Sequence, residues 1–73
     1  MKNKVKIFRQ ALKLSQSTLG DKVGVSRQTI NSLEKGKYNP SITLAFRLSK
    51  IFKCPIEEIF IYEEETIWEK KRL

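Results

Sequence analysis

Arg27, Gln28, Asn31 and Ser32 fall on one side of a helical repeat, and Val25, Ile30 and Leu33 fall on the other. All four polar side chains donate or accept hydrogen bonds, and only Arg27 is charged. Such a face suits recognition of another hydrogen-bonding surface better than ion pairing within the chain. Catalytic chemistry is thinly provided for. The sequence has no histidine and one cysteine, Cys54, whose apolar neighbours mark it as a small core residue. The commonest general base and the commonest metal ligand are therefore missing. No nucleophile–base pair, metal-ligand spacing or phosphate loop is present, so the sequence reads as a non-enzyme requiring no cofactor and no metal.

The elements that carry this face must come from a short chain. At 73 residues, a domain buries only about 60% of its unfolded surface, which predicts one small core without an enclosed cavity. The net charge of +7 is unevenly spread: residues 1–53 hold 12 Lys and Arg against Asp21 and Glu34, whereas residues 54–73 hold 6 acids against 3 bases. A basic body with an acidic end points to a polyanionic partner on one surface and a different role for the tail. No apolar run is long enough for a signal peptide or membrane span, so the expected location is cytoplasmic, with no membrane partner.

Punctuation divides the chain into short helices. Residues 4–13 carry Val5, Phe8, Ala11 and Leu12 at helical spacing, between Lys4, Lys6, Arg9 and Lys13. Ser15 is placed to cap a second helix over 16–23, with Leu19 and Val23 inward, ended by Gly24. Ser26 caps a third over 27–35, ended by Gly36. After the polar loop "KYNPS", Ser41 caps a fourth helix running to Phe52, whose inward face is expected to hold Ile42, Ala45, Leu48 and Phe52. Pro55 suits the first turn of a short fifth helix, with Glu57 and Glu58 near its positive end. The β-branched and aromatic "IFIY" predicts a short strand over 59–63, pairing with residues 1–4. The fold class is all-α: five short helices in a compact bundle with a possible antiparallel strand pair from the termini.

Two helices joined by a short turn containing glycine form a helix-turn-helix, whose second member fits a DNA major groove. The segment "LSQSTLGDKVGVSRQTINSLEKGKYNPS", residues 14–41, resembles the Cro and CI-type (XRE-like) helix-turn-helix regulators, with a lambda-repressor-like domain. The likeness rests on Gln16 after Ser15, "GVS" in the turn, Ile30, "LE" at Leu33 and Glu34, and the exit "GKYNPS". It extends over about residues 4–60, which gives a DNA-binding domain over 1–60, the motif at 15–35, a recognition helix at 27–35 and an extension at 61–73.

The resemblance implies a double-stranded DNA partner and a role for each matched residue. Arg27 and Gln28 occupy base-reading positions; arginine pairs with guanine O6 and N7, and glutamine with adenine. Asn31 and Ser32 lie on the same face within reach of base edges. Gln16 and Ser17 at the start of the second helix, Thr29, and the run Lys35, Lys37, Tyr38 and Asn39 are expected along the DNA backbone. Arg9 and Glu34 match a partly buried salt bridge, a structural role. Two positions depart from the family pattern: Gly20, where alanine is usual at the helix crossing, fits sterically at a propensity cost of about 1 kcal/mol, and Lys53 stands where glycine usually ends the fourth helix.

A single recognition helix reads few base pairs, so the resemblance also implies a homodimer on a palindromic operator, usually acting as a repressor. Leu44 and Ile51 are expected as surplus apolar side chains of the fourth helix, forming a dimer patch with Ile59, Ile61 and Trp68. The acids from Glu57 to Glu65 belong on the side away from phosphate. An alternative reading makes the chain an antitoxin whose tail "IFIYEEETIWEKKRL" is held by a protein partner; a restriction-modification controller is a variant of the first reading.

Overall fold

The computed structural model describes residues 1–62. Its elements are β1 (Lys2–Asn3), α1 (Val5–Ala11), α2 (Gln16–Val23), α3 (Arg27–Glu34), α4 (Ile42–Phe52), α5 (Ile56–Ile59) and β2 (Phe60–Ile61). The two strands are antiparallel, with Lys2 opposite Ile61 and Asn3 opposite Phe60. Lys4 N–H extends the junction by donating to the Ile59 carbonyl at 2.7 Å.

Helix starts follow the sequence closely because the caps are local. Ser15, Ser26 and Ser41 all take extended backbone and accept from the amide three residues on, at Thr18, Thr29 and Leu44. The ends are equally local. Gly24 turns left-handed at φ 79°, sending the chain from α2 to α3. Lys53 takes the same left-handed role at φ 55°, so α4 ends where a glycine would end it.

Val5, Leu19, Val23, Ile30, Leu33, Leu44, Ala45, Leu48, Ile59 and Phe60 form one core, with Phe8, Val25, Ile51, Phe52 and Cys54 packed around it. Phe8 and Phe52 stack with ring centroids 5.4 Å apart, joining α1 to the end of α4. Burial, and secondarily Glu58, pushes the Cys54 thiol above its ordinary pKa.

Four expectations need correction. Leu44 and Ile59, expected in a dimer patch, are core residues, 3% and 0% exposed. Ile42, expected inside, is 72% exposed. The cause is the roll of α4: apolar residues surround most of this helix, and the side turned to the core between α2 and α5 is the one holding Leu44, Ala45 and Leu48. Ala11 and Leu12 lie exposed rather than inward, because α1 stops at Ala11 and Lys13, at φ 59°, turns the chain away. Gly20 is more than a propensity cost: a Cβ there would lie 2.6 Å from the Val25 carbonyl oxygen, so the backbone of the turn packs directly on α2. Ile51 is half-buried against the core, Ile61 remains 40% exposed, and Trp68 lies outside the described residues.

Candidate nucleic-acid interface

The helix-turn-helix is built from α2 and α3, clamped by Leu19 and Val23 on one side and Ile30 and Leu33 on the other, all buried. With the back of α3 fixed, Arg27 and Gln28 lie exposed in its first turn. One turn on, Asn31 and Ser32 are half-buried at the edge of the same face. Among the described residues, the four therefore share one surface.

Beneath that surface runs a polar chain linking three helices. Arg9 on α1 donates to both carboxylate oxygens of Glu34 on α3, Nε to Oε2 at 2.6 Å and Nη2 to Oε1 at 3.1 Å. The paired side chains are only 11% and 4% exposed. A third Arg9 bond, from Nη1 to the Leu14 carbonyl at 2.9 Å, holds the chain just before α2. The hydrogen bond to Glu34, opposed by burial, raises the Arg9 pKa, so the guanidinium stays charged throughout the working range. Gln16, at the start of α2, donates from Nε2 to Glu34 Oε1 at 3.1 Å, and Asn31 Nδ2 lies 3.4 Å from Gln16 Oε1. Gln16 and Asn31 are thus tied inward as well as aimed at the face.

Ser17 lies exposed beside Gln16 in the first turn of α2. Thr29 is half-buried, and its hydroxyl lies 3.1 Å from that of Ser26, so the side chain is engaged in the α3 cap. Ser15 and Thr18 make the matching pair at α2, 2.9 Å apart, so both helices of the motif begin with the same device. Lys35 caps α3, and Lys37, Tyr38 and Asn39 follow exposed in the next loop. That loop is anchored by Lys37 N–H to the Ser32 carbonyl at 3.0 Å. The Met1 amino group donates to the Gly36 carbonyl at 3.0 Å and to Asn39 Oδ1 at 3.5 Å, leaving less of Asn39 free than expected.

Two positioning residues escape a reading of sequence. Asn3 Nδ2 donates to the Leu33 carbonyl at 2.7 Å while its Oδ1 accepts from Val5 N–H, so β1 grips the end of α3. Arg47 Nη1 reaches from α4 to the Val23 carbonyl at 3.1 Å and satisfies the end of α2. These bonds span 30 and 24 residues, and no local pattern signals them.

The comparisons with known proteins follow this architecture. The chain matches the helix-turn-helix family over residues 5–59. It is 48% identical over 71 residues to an uncharacterized HTH-type transcriptional regulator of Archaeoglobus fulgidus, covering 97% of this chain and 100% of that one. A Methanocaldococcus jannaschii protein described in the same terms is 55% identical over 65 residues, covering 89% and 98%. Among solved structures, the restriction-modification controller protein C.AhdI from Aeromonas hydrophila superposes with a TM-score of 0.70 at 28% identity, over 78% of this chain and 86% of its own. With the paired helices, their shared caps and these matches in agreement, the chain belongs to the helix-turn-helix family.

Proposed function

We propose that the chain is a sequence-specific double-stranded DNA-binding transcriptional regulator, a repressor that occupies a palindromic operator as a homodimer. The observation that carries this reading is α3 itself: a helix fixed from behind by Ile30, Leu33 and Glu34, with Arg27 and Gln28 free and Asn31 and Ser32 beside them. Arg27 and Gln28 read base edges in the major groove, and Ser32 and Asn31 extend the contact by one turn. Gln16, Ser17, Thr29, Lys35, Lys37, Tyr38 and Asn39 follow the phosphates on either side. The names of its relatives support the regulatory role.

The dimer reading moves to a different surface, since Leu44 and Ile59 are enclosed. Ile42 and Phe46, one turn apart on α4, are 72% and 55% exposed. Ile42 also shares an open groove of about 440 Å³ with Ala45, Ile56, Phe60 and Tyr62. Together with Ile61 these offer a second copy an apolar face, and a two-fold dimer sets the recognition helices about 34 Å apart.

Selection of binding sites from random duplex DNA tests the proposal, followed by titration of the selected site against scrambled DNA at two salt concentrations. The expected result is a palindrome with half-sites about 10 base pairs apart. Weak binding that is wholly salt-driven, with no enriched sequence, overturns it.

A further inference from the structure

The polar chain beneath α3 has a direction. Arg9 and Glu34 cannot reverse themselves, because a guanidinium only donates hydrogen bonds and a carboxylate only accepts them, whereas the amides of Gln16 and Asn31 can turn either way. Both Glu34 oxygens are occupied by Arg9, so any amide approaching Oε1 must present its NH2 end. Gln16 does so, at 3.1 Å, and this leaves its carbonyl oxygen on the side of α3. There the nearest polar partner is Asn31 Nδ2 at 3.4 Å. The contact is long for a hydrogen bond, yet the reverse orientation would set two amide oxygens against each other at a half-buried site. Asn31 consequently turns its NH2 inward, and its Oδ1 is the end left for a ligand.

We infer that Glu34, acting through Gln16, fixes the hydrogen-bond polarity that Asn31 presents, and makes Asn31 a reader of amino-bearing bases. In the major groove only adenine N6 and cytosine N4 offer donors to such an acceptor, whereas guanine and thymine present acceptors. The second Nδ2 hydrogen is still available for adenine N7, which favours adenine over cytosine. Gln16 and Glu34 are positioning residues here, and Asn31 makes the contact. The inference rests on the DNA-reading role proposed above and deepens it.

The test measures binding of wild type, Asn31→Ala and Gln16→Met to duplexes carrying each of the four bases at every half-site position, with side-chain amide NMR spectra of the three free proteins alongside. Asn31→Ala identifies the position that Asn31 reads. There wild type should favour adenine or cytosine over guanine or thymine by about five-fold, the worth of one hydrogen bond. Gln16→Met should weaken binding to every sequence through its lost phosphate contact and, beyond that, flatten the preference at this one position while the preference at the Arg27-dependent position keeps its ratio, and it should move the Asn31 NH2 resonances in the free protein. A preference for guanine or thymine at that position overturns the inference, as does a Gln16→Met variant that loses affinity equally for all sequences and keeps the preference at that position intact. If Asn31→Ala alters no position while Arg27-dependent specificity persists, the inference fails and the DNA-reading role stands. If wild type shows no sequence preference, the DNA-reading role and the base assignment fail together, and the NH2 resonances alone then decide the polarity chain: unmoved in Gln16→Met, they overturn it.

Discussion

The α2–α3 end of the molecule is held by directed bonds. Two serine caps, the Arg9–Glu34 pair, Gln16, Asn3 and Arg47 each fix a backbone or side-chain direction. The α4–α5 end, with its strand pair, also has directed bonds, such as the Ser41 cap and the Ser49 hydroxyl on the Cys54 carbonyl, but leans more on apolar contact: Leu44, Ala45, Leu48, Ile59 and Phe60 are buried, and Ile42 and Phe46 stay exposed. Burial is non-directional, so it can hold a surface without aiming any single group. Polar bonds cost desolvation but specify angles. The face proposed to read DNA sits over the polar end, where orientation matters, and the exposed Ile42 and Phe46, proposed to meet a second copy, lie at the apolar end.

That contrast can be broken in order of effect. Arg9→Ala leaves the Glu34 carboxylate buried without its cation and should cost about 3–5 kcal/mol of stability by urea denaturation, with DNA affinity falling as the folded fraction falls. Gly20→Ala should destabilise by about 1–3 kcal/mol, because the new methyl meets the Val25 carbonyl and forces the turn outward. An unchanged or raised melting temperature would show that the turn yields and that helix propensity wins.

Arg27→Ala should leave stability unaltered and remove about 1–3 kcal/mol of discrimination at one guanine. Lys37→Ala should instead weaken specific and random DNA alike and lower the salt slope by about 1. The reverse pattern in binding titrations would refute both assignments. Paired Ile42→Ser and Phe46→Ser changes should loosen the proposed dimer in sedimentation while moving monomer stability by only about 0.5 kcal/mol each, the usual range for exposed sites.

The smallest effect concerns Cys54. Its raised pKa means that the folded state prefers the neutral thiol, so this contribution to stability is complete below the ordinary thiol range and is lost as pH rises through the folded pKa. Alkylation of Cys54 should shift to higher pH than that of an unfolded chain, measured by mass spectrometry.

Sequence alone determined where α2, α3 and α4 start and where the chain turns between α2 and α3, because Ser15, Ser26, Ser41 and Gly24 act on atoms within four residues of themselves. It also determined the face formed by Arg27, Gln28, Asn31 and Ser32, since helical spacing puts them there once α3 exists. It did not determine the roll of α4: apolar residues at 42, 44, 45, 46, 48, 51 and 52 satisfy more than one inward face, and only packing against α2 and α5 chose Leu44 over Ile42. Nor did it reveal the need for glycine at position 20, the grip of Asn3 on Leu33 or the reach of Arg47 to Val23. Local interactions repeat wherever their few residues recur and can be read from spacing, whereas these contacts join distant parts of the chain and exist only after the whole core has closed.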